Sequence, residues 1–280
     1  MPPQSPADAA AVALAQAVGG HALEAFAALL ALLLLGASLL FAWIRRGAPR
    51  RADAQPSAQR TLRFGLAVAL VLGAAFLFAA IASALESGDR LARIDQAFSD
   101  AVGQSTPEWA LQFFATVTHL GDPLTLWVVG IAGATVLVAR GERLLAGGFA
   151  AAIGGNALLN PALKRVFERV RPLHESGLPL AEGFSFPSGH SSGALVACGM
   201  LAYVVLRTLP RQWHLAAVML ATAATFSVGA SRVFLQVHFA SDVVAGFASG
   251  SAWLACCIVS VEWARGARSR AGATHGIRPP

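Results

Sequence analysis

The sequence contains little charge: 13% of its 280 residues are charged, whereas 56% are hydrophobic. A soluble domain usually has about 25% charged residues, so the composition argues against a soluble globular protein. The hydrophobic residues form blocks of about 18–22 residues, the length that crosses a hydrocarbon core of about 30 Å. We therefore expect an all-α, polytopic membrane protein that forms a single domain.

Cysteine is also scarce, and the three cysteines, Cys198, Cys256 and Cys257, all lie inside hydrophobic blocks. Their spacing fits neither a disulfide framework nor a zinc site. No basic segment precedes a hydrophobic core in the first 20 residues, so a cleaved signal peptide is not expected. The net charge of +6 does not predict nucleic-acid binding, because the basic residues flank the hydrophobic blocks, where they orient helices.

Seven hydrophobic segments are predicted to span the membrane: 23–44, 64–85, 123–139, 144–163, 192–209, 213–230 and 239–261. The apolar stretch 109–120 is too short to span and is expected at the membrane interface. The chain then divides into four regions: a weakly ordered tail (1–22), an extra span with a basic cytoplasmic loop (23–63), a six-span core (64–262) and a basic cytoplasmic tail (263–280).

The arginines predict the orientation of these spans. With seven spans, four connecting regions on one side hold 14 of the 21 Lys and Arg residues, and the positive-inside rule places that side in the cytoplasm of a bacterial inner membrane. Most of the basic residues on the opposite side cluster around two short segments. Binding of an anion at the periplasmic or exterior face would explain this cluster.

The first of three polar motifs runs from Lys164 to Pro172. Lys164 and Arg171 are seven residues apart, so they are expected on one face of a helix that ends before Pro172. Two cations on one face can hold a phosphate. An ion-pair ladder through Glu168, or snorkelling at the interface, is the alternative. Lys164 is the only lysine in the chain, which favours a specific role.

The second motif, Pro187 to His190, precedes a span. Pro187 suits the first turn of a helix, and the backbone N–H groups of Ser188 and Gly189 can then bind an anion at the helix N-terminus. His190 would point the same way and can transfer a proton. A plain capping turn with a surface histidine is the alternative.

The third motif contains Ser231, Arg232, His238 and Asp242. His238 and Asp242 are four residues apart, which predicts one helical face. The carboxylate can accept a hydrogen bond from one ring nitrogen and leave the other free to attack. Arg232 supplies a guanidinium for phosphate oxygens. A structural His–Asp pair is the alternative, although ionisable groups at membrane depth favour a functional role.

Two predicted spans separate the second motif from the third, so all three motifs are expected on the same side of the membrane. Together they provide three cations, two histidines, one carboxylate and a helix N-terminus. Few carboxylates lie nearby, whereas a magnesium or manganese site needs several oxygen ligands. We therefore expect no metal and no cofactor.

The pattern K-x6-R-P, then P-S-G-H, then S-R-x5-H-x3-D resembles the type 2 phosphatidic acid phosphatase (PAP2) superfamily, in its membrane lipid phosphatase branch. The resemblance covers about residues 64–262, the six-span core, and leaves one extra N-terminal span outside. The segment 118–123 also resembles the family's lead into its second core span, where a helix cap is the expected role. Every fixed position matches: Lys164, Arg171, Pro172, Pro187, Ser188, Gly189, His190, Ser231, Arg232, His238 and Asp242.

The resemblance implies that His238 attacks phosphorus to form a phosphohistidine, that Asp242 orients His238, and that His190 is the acid and base. It also implies a set of residues that hold the phosphoryl oxygens: Lys164, Arg171, Ser188, Gly189 and Arg232.

The expected activity is metal-independent hydrolysis of a lipid phosphate or diphosphate. Phosphatidic acid, phosphatidylglycerol phosphate, undecaprenyl diphosphate and lipid A phosphate are all possible substrates on this reading. A phosphotransferase with the same intermediate, or a transporter that only binds lipid phosphate, are the alternatives. The sequence does not predict the oligomeric state.

Overall fold

The computed structural model describes residues 5–52, 56–172 and 183–275. These residues form ten α-helices, two short 3-10 helices and no strand. The 3-10 helices are Thr118–Gly121 and Arg211–Trp213. The α-helices are α1 (Pro6–Gly20), α2 (Ala22–Ala52), α3 (Pro56–Glu86), α4 (Arg90–Ser105), α5 (Glu108–Val117), α6 (Pro123–Ala139), α7 (Arg143–Phe167), α8 (Gly189–Thr208), α9 (His214–Phe234) and α10 (Ala240–His275).

Five helices of the described chain, α2, α3, α8, α9 and α10, are long and apolar enough to cross a membrane. A sixth span results if α5 and α6, which meet at a bend of 45°, are counted together. This confirms the predicted membrane class, including an apolar helix at the extra N-terminal position.

The span predicted at 144–163 lies in α7, which is not among these candidates. Asn156, Asn160 and Pro161 lower the hydropathy of this helix. Its 25 residues would nevertheless extend about 37 Å at 1.5 Å per residue. A membrane crossing by α7 therefore stays a prediction.

The N-terminal segment differs from the predicted weakly ordered tail, because residues 6–20 form α1. Ser5 caps this helix by accepting a hydrogen bond from the backbone N of Asp8, and Pro6 occupies its first turn. Helix α1 packs on α4, where Arg90 pairs with Asp8 at 2.8 Å. The N-cap and the contact with α4 thus order this segment, and neither could be read from its Ala-rich composition.

The two regions predicted as cytoplasmic loop and tail are also largely helical. Helix α2 continues to Ala52 and α3 begins at Pro56, so most of the region 45–63 is helical. Helix α10 extends to His275, well into the predicted tail 263–280. The extra turns lie beyond the apolar parts of these helices, where sequence hydropathy gives no signal.

Helix α7 contacts α6, α8 and α10. Leu145 and Phe149 of α7 are fully buried against Met200 of α8 and Val261 of α10. Between helices in a membrane, such close packing stabilises the bundle through van der Waals contact. This packing fixes the end of α7 beside the start of α8 and α10.

The interfacial stretch predicted at 109–120 forms α5 and the 3-10 turn that follows it. Phe114 of α5 is buried and stacks on Phe234 of α9, with ring centroids 4.1 Å apart. This contact places the 3-10 turn beside the last turn of α9, where Arg232 lies.

Candidate active site

A cavity of about 460 Å³ opens where α7 ends and α8 begins, next to the connection between α9 and α10. Its wall brings together residues from all three sequence motifs, as predicted from the parity of the spans. The predicted site residues that line it are Lys164, Arg171, Gly189, His190, Arg232 and His238.

Lys164 and Arg171 reach this cavity without sharing a helix, so the predicted two-turn helix is wrong. Helix α7 ends at Phe167 because Glu168 adopts a left-handed conformation (φ 45°). Lys164 lies in the last turn, where Nζ donates to the carbonyl of Phe184 at 2.6 Å. Arg171 lies in the irregular segment that follows, and desolvation lowers the pKa of its guanidinium.

His238 lies in the connection between α9 and α10, with only 2% of its surface exposed. Arg171 Nη1 lies 3.2 Å from Nε2 of His238. Because a guanidinium can only donate, Nε2 carries the lone pair and Nδ1 carries the proton. Burial lowers the pKa of His238 to about 3, so the imidazole is neutral near pH 7.

Asp242 lies on the Nδ1 side of His238, with Oδ2 at 3.5 Å from Nδ1. The two residues do not share a helical face as predicted, because α10 begins at Ala240, after His238. Instead Asp242 is in the first turn of α10 and its Oδ2 accepts a hydrogen bond from the backbone N of Phe239 at 3.0 Å. This capping contact holds the carboxylate beside the ring.

Arg232 occupies the last turn of α9 and is almost completely buried. Its Nη1 donates to the hydroxyl of Thr118 in the 3-10 turn, while its Nε has no hydrogen-bond partner among the described residues. The backbone N of His238 donates to the carbonyl of Arg232 at 3.1 Å. Arg232 and the imidazole are therefore joined by a short, fixed stretch of backbone.

Ser188 has a different place from the one predicted. It is the N-cap of α8, so Pro187 precedes the helix instead of standing in its first turn. The N–H of Ser188 donates to the carbonyl of Asp242 at 3.0 Å and is not available to a phosphate. Its hydroxyl accepts from the hydroxyl of Ser191 at 2.9 Å.

Gly189, by contrast, lines the cavity as the first residue of α8. The first N–H groups of a helix have no intrahelical acceptor, and they favour anions. A Cβ at this position would lie 2.8 Å from Oδ1 of Asn160, so glycine lets α7 and α8 approach closely here.

His190 contacts a carboxylate that was not predicted to do chemistry. Its Nε2 lies 2.9 Å from Oδ1 of Asp122, whose Oδ2 lies 2.6 Å from Nδ1 of His119. Asp122 stands at the N-cap position of α6, yet its side chain makes no capping hydrogen bond. The segment thus supplies the N-cap residue of α6, as predicted, but the carboxylate of this residue joins two imidazoles instead of capping the helix.

Arg169 is a second residue whose role the sequence did not reveal. Its Nη1 donates to Oδ1 of Asp242 at 2.6 Å, and its Nη2 donates to Oδ2 of Asp95 at 2.8 Å. The chain is not helical at Arg169 and Arg171. In an extended chain, residues two apart face the same side. The two-residue spacing of Arg169 and Arg171 was therefore the one signal in the sequence that could have placed Arg169 near the site.

The connection between the first two motifs contains two more ionisable residues that could contact a lipid head group, His174 and Glu182. Both lie outside the described part of the chain. Within the described ranges, no group of three or more His, Cys, Asp or Glu side chains is placed to hold a metal ion.

The chain is similar to known phosphatases over the same region. Residues 145–265, which contain all three motifs, match the PAP2 superfamily. Phosphatidylglycerophosphatase B of Bacillus subtilis (strain 168) is 34% identical over 185 residues, which are 62% of this chain and 87% of that protein. The crystal structure of the first transmembrane PAP2-type phosphatidylglycerolphosphate phosphatase from Bacillus subtilis has a TM-score of 0.61 and 32% identity, covering 70% of this chain and 96% of that one.

Proposed function

This chain belongs to the PAP2 superfamily and is a membrane phosphatase that acts on lipid phosphates, and we propose that it does so through a phosphohistidine at His238. The observation that carries the proposal is the setting of that imidazole. Nε2 faces Arg171 in a cationic cavity, while Nδ1 faces the carboxylate of Asp242. Nε2 is thus the nitrogen that faces the phosphate position, while the carboxylate of Asp242 lies 3.5 Å from Nδ1, close enough to stabilise positive charge on the ring.

In the first step Nε2 of His238 attacks phosphorus, and the bond from phosphorus to the lipid oxygen breaks. Arg171 Nη1, which now contacts Nε2, turns to a phosphoryl oxygen as the lone pair becomes a P–N bond. Asp242 stabilises the positive charge that develops on the ring. Lys164, Arg232 and the first amides of α8 hold the remaining oxygens, because phosphoryl transfer depends mainly on positioning and charge stabilisation.

His190 supplies and removes the protons. It protonates the departing lipid oxygen in the first step and takes a proton from water in the second, when the P–N bond breaks and inorganic phosphate leaves. An acid must be protonated before it can donate, and Asp122 stabilises the protonated ring through Nε2.

Replacing Asp122 with Asn is therefore expected to lower kcat by about 10–100-fold, a part of the roughly 10²–10⁴ that general acid–base catalysis contributes. KM should change little, because Asp122 is not one of the cationic residues that bind the phosphate in the cavity. Steady-state phosphate release from the purified protein in detergent measures both constants. Asp100→Asn, an exposed carboxylate on α4, is the matched control. Wild-type kcat in Asp122→Asn would remove this carboxylate from the mechanism.

We place the cavity at the periplasmic or exterior face of a bacterial inner membrane. The ends of α7 and α9 and the start of α10 meet there. The arginine-rich end of α10, up to His275, lies at the opposite end of that helix, and the arginine-rich region 45–63 includes the end of α2 and the start of α3. The positive-inside rule assigns those regions to the cytoplasm. We also keep residues 64–262 as the phosphatase core, with 23–63 as an added span.

The cavity supports a lipid substrate with a polar linker. Asn160 and Asn156 precede Lys164 on α7 by one and two turns, about 6 Å each, and also line the cavity. Their side-chain amides make only long hydrogen bonds, for example 3.4 Å from Asn156 to the hydroxyl of Ser192. Beside them the wall is apolar, with Trp127 and Ile153.

This order of groups matches phosphatidylglycerol phosphate, in which a glycerol and a phosphodiester separate the terminal phosphate from the acyl chains. Phosphatidic acid lacks that linker, so the asparagines would face acyl-bearing glycerol. We therefore propose a phosphatidylglycerol phosphate-type substrate, in agreement with the activity for which the Bacillus relative is named.

A panel of phosphatidylglycerol phosphate, phosphatidic acid, undecaprenyl diphosphate and lipid A phosphate tests this proposal. With EDTA present, we expect phosphate release from the first at a kcat/KM about tenfold above the others, the value of one hydrogen bond of about 1.4 kcal/mol. Loss of activity with the chelator would contradict metal independence. Binding without release would indicate a transporter, and transfer of the phosphate to an added alcohol a phosphotransferase.

A further inference from the structure

Arg169 lies between two buried carboxylates behind the imidazole of His238. Its side chain is 12% exposed, and those of Asp95 and Asp242 are 5% and 0% exposed. One guanidinium nitrogen donates to each, at 2.8 Å to Asp95 and 2.6 Å to Asp242. Two charge-assisted hydrogen bonds to different partners hold a planar guanidinium in one orientation.

The first turn of α10 closes around this guanidinium. Arg169 Cζ lies 4.3 Å from the centroid of the Phe239 ring, a cation–π contact, and Nη1 donates to the hydroxyl of Ser241 at 2.8 Å. Ser241 in turn donates through its backbone N and its hydroxyl to Asp95 of α4. Asp95 therefore binds the same turn that carries Asp242.

The charges of the three side chains determine the state of Asp242. Two carboxylates and one guanidinium leave one negative charge next to the ring of His238. Desolvation raises the pKa of Asp95, while its hydrogen bonds to Ser241 and Arg169 oppose this. Without the guanidinium, two buried carboxylates would share one site, and one of them would take up a proton near neutral pH.

We propose that Arg169 and Asp95 are positioning residues that keep Asp242 ionised and aimed at Nδ1 of His238. Arg169 prevents Asp242 from binding a proton, and Asp95 balances Arg169 so that Asp242 retains a negative charge for the developing imidazolium. This inference rests on the proposed nucleophilic role of His238. Asp95 lies in α4, outside the residues that match the family, so the site extends beyond the three motifs.

Arg169 and Asp95 could instead serve only to link α4 to α10. The two roles differ in what they predict when the charges are changed. If the two residues only joined helices, removing both would harm the enzyme at least as much as removing Arg169. If they set the charge on Asp242, removing Asp95 together with Arg169 restores the balance, because one carboxylate again stands alone beside His238.

The test compares Arg169→Gln, Asp95→Asn and the double variant with the wild-type chain. We expect Arg169→Gln to lower kcat by about 100-fold or more with KM changed only a few-fold, as for loss of one positioned donor. The double variant should be at least about tenfold more active than Arg169→Gln. Arg165→Gln, an exposed arginine of the same motif, is the matched control and should stay within about twofold of wild type.

A pH profile gives a second readout. The charged groups around Asp242 are Arg169 and Asp95 behind it, His238 beside it, and Lys164 and Arg171 across the cavity. In Arg169→Gln, activity should recover as pH rises and the shared proton leaves, whereas the double variant should lack this recovery. If Arg169→Gln is not extracted as a folded protein, Arg169→Lys replaces it, with a smaller loss expected because the charge remains.

A double variant no more active than Arg169→Gln, with a loss independent of pH, would overturn the inference. The result is separable from the proposed function. If His238→Ala retains activity, the nucleophile is wrong. If His238→Ala is inactive and the double variant shows no recovery, only the positioning role fails.

Discussion

His238→Ala is expected to lower kcat by about 10⁴–10⁶-fold, the range seen when a catalytic nucleophile is removed. The loss should be so large because Nε2 of His238 itself forms the bond to phosphorus. The cationic cavity remains in this variant, so lipid phosphate should still bind. Phosphate release and equilibrium binding of a lipid phosphate, measured on the same preparation, separate the two effects.

His214→Ala is the matched control for this experiment. His214 is at the opposite end of α9, is only partly buried, and contacts the carbonyl of Leu209. Its replacement should leave kcat within about twofold of wild type, as for surface substitutions generally. Activity of His238→Ala within tenfold of wild type would remove this residue as the nucleophile and would favour direct attack by water.

His190→Ala is expected to show an effect that depends on the leaving group. With a lipid phosphate, kcat should fall by about 10²–10⁴-fold, because an alkoxide leaves poorly without a proton from His190. With 4-nitrophenyl phosphate the leaving phenolate needs no proton, so the first step should proceed nearly as in wild type. The second step still lacks its base, and a burst of nitrophenol followed by slow turnover should result.

Rapid mixing with detection of nitrophenol measures this burst, which should approach one equivalent per active protein. The double variant His190→Ala with His238→Ala should show no burst, since no covalent intermediate can form. Equal loss of activity on both substrates, without a burst, would show that His190 does not act as the acid of the first step.

Some features of this protein were predictable because they follow from composition and short-range order. Long apolar blocks predicted the membrane class, and motif parity predicted that Lys164, His190 and His238 meet in one cavity. Consecutive spans cross the membrane in opposite directions. Residues at the end of one span and at the start of the next therefore lie on the same side. The local geometry of the motifs was less predictable.

The seven-residue spacing of Lys164 and Arg171 predicted one helical face, but Glu168 in a left-handed conformation ends α7 between them. The four-residue spacing of His238 and Asp242 led to the same error, since α10 starts between them. In both cases the residues still meet, through a helix end and the segment next to it. A periodic pattern does not reveal where a helix stops when no Gly or Pro marks the position.

The partners of the catalytic residues were missed for a different reason. Asp95 is 74 residues from Arg169 in the chain, and Asp122 is 68 residues from His190. Asp95 lies within α4 and Asp122 directly precedes α6, and nothing in the local sequence of either residue encodes a distant contact. Packing of α4 against α10, and of the 3-10 turn Thr118–Gly121 against α8 and α9, brings these carboxylates to the site.

The stereochemical course at phosphorus tests the central claim most directly. Hydrolysis of a lipid phosphate made chiral with oxygen isotopes, in isotopically labelled water, yields inorganic phosphate whose configuration can be read. Transfer to Nε2 of His238 followed by attack of water comprises two in-line displacements, so the account predicts net retention of configuration. Net inversion would mean a single displacement by water, and the phosphohistidine at His238 would then be excluded.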